Sequence, residues 1–115
     1  MSAPTIDQAT FRALEGAAGA EFVAELVTTF LEEAPRMFDD MREALVANEA
    51  ERFRRAAHSL KSNSNTFGAL KLGAMARDVE LGGLARALQA ASDPLGPLEE
   101  EYARVAASLK EMRHA

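Results

Sequence analysis

His58 stands where an imidazole could act as a nucleophile toward another molecule. Winding residues 51–67 at about 100° per residue gathers Phe53, Ala56, Ala57, Leu60, Ser64 and Phe67 on the side a bundle would bury. Glu51, Arg54, Arg55, His58, Lys61, Ser62 and Asn65 fall on the opposite side, with the histidine near its centre. Imidazole as a group, with an ordinary pKa of about 6.5, is substantially neutral near pH 7 and has a ring nitrogen to offer. The helical neighbours three and four residues away are Arg54, Arg55, Lys61 and Ser62. Lys61 can hold a cation beside any anion bonded to the ring, Ser62 is too small to crowd it, and the arginines add positive potential. That set suits attack on a phosphoryl group, which asks mainly for alignment and charge stabilisation. Without further signals, the same residues would read as a solvated histidine on an ordinary charged face.

The elements that must position this face are all helical. Alanine, leucine, glutamate and arginine dominate, and β-branched residues never alternate in period two. A short helix is expected over residues 6–15, with Thr5 or Asp7 near its cap and Gly16-Ala17-Ala18-Gly19 interrupting it. A long second helix carries Phe22, Val23, Leu26, Val27, Phe30, Met37, Phe38, Met41 and Leu45. Pro35 falls inside that stripe and reads as a kink, because the apolar phase resumes after it. Asn48 is the expected cap before the helix bearing His58, and Gly68 ends that helix. A fourth helix over residues 69–90 carries Leu72, Met75, Ala76, Val79, Leu81, Leu84 and Leu88. After the turn Ser92-Asp93-Pro94, a last helix shows Leu95, Leu98, Tyr102, Val105, Leu109 and Met112, with Glu99, Glu100 and Glu101 mostly outside the stripe. Short connections favour antiparallel neighbours, so the expected fold is all-α: an up-down four-helix bundle with an additional short N-terminal helix. Residues 1–115 read as one domain.

Composition narrows the function classes. The 115 residues are 48% hydrophobic and 27% charged, an ordinary globular balance, with a formal net charge of −5 that gives nucleic-acid binding no global support. There is no cysteine, hence no disulfide and no thiolate metal site. No apolar run approaches the roughly 20 residues of a spanning helix, and residues 1–8 lack a signal architecture, so a cytoplasmic protein without membrane contact is expected. His58 has too few neighbouring ligands for a metal site. No Gly-rich phosphate cradle is present, so autonomous kinase activity from ATP is not expected. His114, beside the chain end, is given no role.

The run Ala57-His58-Ser59-Leu60-Lys61-Ser62-Asn63-Ser64-Asn65-Thr66-Phe67-Gly68-Ala69 resembles the signature of histidine phosphotransfer (HPt) domains, His-x-Leu-Lys-Gly/Ser-x-Ser/Ala before a Gly-Ala-like helix end. Length and helix order extend the resemblance over the whole chain. It implies a phosphorelay carrier in which His58 accepts a phosphoryl group from a receiver-domain aspartate and passes it to another. Lys61 would steady the group, and Ser62 would fill a position often held by glycine. Glu80 is the acidic residue that, in similar domains, accepts a hydrogen bond from the other imidazole nitrogen; Arg77 or Lys71 on its own helix are alternative partners. The docking face would include Arg54, Arg55 and Asn65. The implied partners are response-regulator receiver domains and a hybrid sensor histidine kinase. No cofactor is expected on this chain, since the receiver would supply both the aspartate and Mg2+. The opening methionine and the lack of a second domain suggest a stand-alone, monomeric relay protein. A helical adaptor that binds a receiver or kinase without carrying phosphate is the alternative; it predicts binding independent of His58.

Overall fold

The computed structural model describes residues 5–114, and of residue 114 only the backbone, so the side chain of His114 lies outside the described residues. The order is α1 (Gln8–Ala18), α2 (Ala20–Ala47), α3 (Ala50–Thr66), α4 (Leu70–Leu88) and α5 (Gly96–His114). Helices α2 to α5 form the up-down bundle, α1 is the additional N-terminal helix, and there is no strand among the described residues.

Residues with special backbone chemistry set the ends of these helices. Asp7 caps α1: its carboxylate accepts from the Thr10 amide at 3.0 Å and the Thr10 hydroxyl at 2.5 Å. The helix runs through Gly16 to Ala18 and breaks only at Gly19, where φ reaches +93°. The expected interruption therefore comes three residues late. One helical glycine costs only about 1 kcal/mol, which the burial of Phe11 beneath the same helix offsets. Helix α2 continues through Pro35, which lies on its exposed side. Asn48 does act as a cap, but for the helix before it. In the left-handed conformation (φ 58°, ψ 43°) it closes α2, and Glu49 opens α3 with no side-chain cap.

The core joins one layer from each helix. Phe53, Met41, Leu60, Leu72, Leu95, Leu98 and Leu109 are fully buried. Phe30 packs against Phe67 with the rings tilted (centroids 5.4 Å apart) and meets Tyr102 edge-on at 6.0 Å, while Phe38 lies 5.6 Å from Tyr102, so aromatic rings tie α2 and the end of α3 to α5. Ser64 is buried as the apolar phase required, and its hydroxyl donates to the Leu60 carbonyl at 2.6 Å. Between α2 and the last helix, Arg42 pairs with Asp93 at 3.0 Å and with Glu99.

Expectations about the placement of four side chains fail. Phe22, Leu81 and Leu88 are exposed rather than in the stripe. Leu81 stands nine residues past buried Leu72, about half a turn away at 100° per residue, so it falls on the opposite face; Leu88 lies beyond Gly83, whose φ of 72° and ψ of −176° break α4 and shift the phase that follows. Glu101 is buried instead of lying outside the stripe. Arg104 meets its carboxylate at 2.8 Å and Lys71 at 3.9 Å, which keeps the buried charge paired.

Helices α3 and α4 form the most extensively packed pair in the molecule. Buried Ala56, Ala57, Gly73 and Ala76 leave little between their backbones. The two helices fold back on each other at Gly68, so residues about ten positions either side of that turn come level. His58 and Glu80 are such a pair.

Candidate functional site

His58 stands on the outer face of α3 with 51% of its side chain exposed, and Leu60 on the opposite face is fully buried. Its Nδ1 lies 2.8 Å from Oε2 of Glu80. When Nδ1 donates there it carries the ring's proton, and the lone pair of a neutral ring is then on Nε2. Glu80 itself is only 13% exposed. Neither Arg77 nor Lys71 takes it up; three groups of α3 do. The Lys61 ammonium stands 2.9 Å from Oε1, displaced from the ideal hydrogen-bond direction, so the contact is an ion pair first. Arg54 Nη1 reaches within 3.7 Å of Oε2. Lys61, then His58, hold the Glu80 carboxyl below its ordinary value, against the opposing pull of desolvation.

Of the remaining candidates, Ser62 is exposed one turn beyond the histidine and places no bulk near it. Arg54 is held by Glu51, whose carboxylate accepts from Nε at 3.0 Å and from Nη2 at 2.5 Å. Arg55 is 74% exposed and has only the same Glu51 at 3.5 Å. Asn65 is exposed but lies along the backbone of Gly73, where any added Cβ would strike it. The structure thus brings His58, Lys61, Glu80 and Arg54 into one cluster, with Arg55 and Asn65 outside it.

Sequence reasoning missed two features here. One is Glu51, legible as a helical i,i+3 partner of Arg54. The other is an open groove between α2 and α3, lined by Met37, Asp40, Arg52, Arg55, Ala56 and Ser59 among others. It depends on how two helices pack, which no local pattern records. Among the described residues no group of three or more His, Asp or Glu is placed to hold a metal ion, and no helix is long and apolar enough to cross a membrane.

The half-exposed imidazole of His58 thus has a carboxylate at Nδ1 and an ammonium one turn along α3. Residues 25–113 match the Hpt domain family. The chain belongs to that family. The Hpt fold here is also similar to the crystal structure of histidine-containing phosphotransfer protein B (HptB) from Pseudomonas aeruginosa PAO1, with a TM-score of 0.86 and 28% identity over 98% of this chain and 97% of the other. No curated protein sequence matches significantly. Hpt proteins are phosphocarriers that work with receiver domains and kinases in phosphorelays.

The carboxyl at the centre of the Hpt cluster gives a pH prediction. Its value in the folded protein is lowered, so its contribution to stability is fully present above the ordinary glutamate pKa of about 4.3. It is lost as pH falls through the lower folded-state value. A side-chain carboxyl NMR titration of Glu80 should therefore give a midpoint below 4.3. A midpoint at or above that value would mean that the cations do not gather around Glu80 in solution.

Proposed function

We propose that this chain is a phosphorelay carrier that accepts a phosphoryl group on Nε2 of His58 from a receiver-domain aspartate and passes it to the aspartate of another receiver. The observation that carries the reading is the 2.8 Å contact from Nδ1 to Glu80 on a half-exposed ring. On this reading the two nitrogens do different work: Nδ1 is held by Glu80 and Nε2 is the nucleophile. In the forward step the Nε2 lone pair attacks phosphorus and the P–O bond to the aspartate breaks, returning a carboxylate to the receiver. The Nδ1 proton stays on the ring, shared with Glu80, whose negative charge offsets the positive charge the ring acquires. Lys61 steadies the phosphoryl oxygens. Transfer onward is the same step reversed, with Mg2+ and the aspartate supplied by the receiver.

On this reading a receiver docks over the exposed face of α3 that carries His58, Arg55 and Ser62. A hybrid sensor histidine kinase, through its own receiver, is the expected upstream source. The carrier acts as a monomer in the cytoplasm on this reading.

The test is incubation with a panel of phosphorylated receiver domains. At least one should transfer label to the chain, in a linkage lost in acid and retained in base, as a phosphohistidine is. In the same assay Lys61→Ala should slow transfer about tenfold, the scale of one charge contact of roughly 1.4 kcal/mol made to the moving group. Unchanged rates in both directions would remove Lys61 from the step. Binding of receivers with no label transferred, and no dependence on His58, would favour the adaptor reading instead.

A further inference from the structure

We propose that Arg54 is a positioning residue for phosphoryl acceptance, one that keeps the Glu80 carboxylate ionised and aligned on Nδ1 of His58 once Lys61 turns toward the phosphoryl group. The inference rests on the phosphocarrier reading above and assigns Arg54 a task within the chain instead of on the docking face.

The two oxygens of Glu80 have different neighbours. Oε2 faces His58 at 2.8 Å and Arg54 at 3.7 Å. Oε1 is buried and faces Lys61 at 2.9 Å, with no hydrogen-bond donor properly aligned on it. Lys61 therefore has two claims on it. At rest it pairs with Oε1; during transfer a phosphoryl group bearing about two negative charges arrives on the neighbouring ring and competes for the same ammonium. When the ammonium moves, Oε1 is left buried without a cation, which favours protonation of the carboxyl. A protonated Glu80 no longer offers a full negative charge to a ring that is gaining positive charge. Arg54, on the opposite edge of the carboxylate, is the cation that stays.

The geometry of Arg54 fits holding better than docking. Glu51 takes its Nε at 3.0 Å and its Nη2 at 2.5 Å, and this fork leaves Nη1 directed at Glu80. All three guanidinium nitrogens are engaged within the chain. Arg55, by contrast, is 74% exposed and has a single contact at 3.5 Å, so it is the arginine free to meet a partner.

Phosphoramidate tests this without any docking, because it is a small donor that meets the imidazole directly. The Nε2 lone pair attacks its phosphorus, the donor's P–N bond breaks, and the amine leaves as ammonia with the protons it already carries. Arg54→Gln should slow this chemical phosphorylation of the full chain about 2- to 5-fold, the range for one partly screened ion pair, and Arg54→Lys should recover much of the loss. In a Glu80→Gln background the same Arg54→Gln change should alter the rate by less than about 1.5-fold, because the carboxylate it serves is gone. Thermal unfolding of each variant separates a folding defect from this effect. Equal slowing with and without Glu80, or no slowing while transfer from a receiver weakens only through a higher half-saturating concentration, would overturn the proposal. The two readings fail separately. Coupling of Arg54 to Glu80 in the phosphoramidate reaction, with no receiver able to transfer, supports the role of Arg54 and removes the relay. Transfer from receivers without that coupling removes Arg54 alone.

Discussion

His58→Gln is expected to abolish acceptance of labelled phosphate from a phosphorylated receiver while helix content stays unchanged. The ring is 51% exposed and takes no part in the core, so its loss opens no cavity. The glutamine amide can still donate to Glu80, which limits the change in stability to about 0.5 kcal/mol, the usual scale for a surface substitution. What it cannot supply is a lone pair on nitrogen able to bond phosphorus, because amide resonance withdraws it. Loss of label with unchanged circular dichroism therefore isolates the nucleophile. Label retained in this variant would place the phosphate on another residue.

The second large effect is structural. Gly68→Ala should lower stability by about 2–4 kcal/mol, seen as a fall in Tm of roughly 10 °C. The backbone at Gly68 has φ +85°, a conformation that costs an L side chain about 1–2 kcal/mol. A Cβ there would also sit 2.7 Å from the Asp7 carbonyl oxygen and 3.1 Å from Thr10 Cβ. Relieving that clash pulls apart the 2.8 Å hydrogen bond from the Asp7 amide to the Gly68 carbonyl, which clips the start of α1 onto the α3–α4 turn. Gly16→Ala is the matched control. Gly16 lies inside a helix with nothing within 4 Å of an added Cβ, so that change should be neutral or raise stability by about 0.5–1 kcal/mol. A shift in Tm below about 3 °C for Gly68→Ala would contradict the clip between α1 and the turn.

Much of this was legible in the chain because the residues that carry it are local. The burial of Phe53, Leu60 and Ser64 opposite an exposed His58 follows from a period of about 3.6 residues. Gly19, Asn48 and Gly68 end helices because each adopts a backbone that most side chains resist, and all three mark boundaries in the sequence. Gly16 misled because a glycine at ordinary helical dihedrals carries no such signature and packing decides. The exposure of Leu81 was legible, since it lies nine residues and about half a turn from Leu72; that of Leu88 was not, because two adjacent glycines permit a break at Gly83 without requiring one. Glu101 was taken for a surface residue because the charges that let it be buried, on Lys71 and Arg104, come partly from another helix.

The site divides in the same way. Lys61 and Ser62 lie a fixed three and four residues from His58, so their nearness was set by the helix alone. Glu80 is different. Its distance from His58 depends on the register between α3 and α4, which is fixed by the turn at Gly68 and by small residues such as Ala57, Gly73 and Ala76 that let the helices approach. Arg77 and Lys71 were equally reasonable partners until that register was known. The bridging of Arg54 between Glu51 and Glu80 is one step further removed, since it needs both the register and a particular side-chain conformation.

The most direct test of the account is to find which ring atom of His58 bears the phosphate. The protein, labelled with 15N in its histidines and phosphorylated by a receiver, should show in long-range 1H–15N spectra a phosphorus-coupled Nε2 and a protonated Nδ1. Phosphate on Nδ1, or a wild-type His58 ring unmodified after transfer, would contradict the division of labour that the Glu80 contact sets between the two nitrogens.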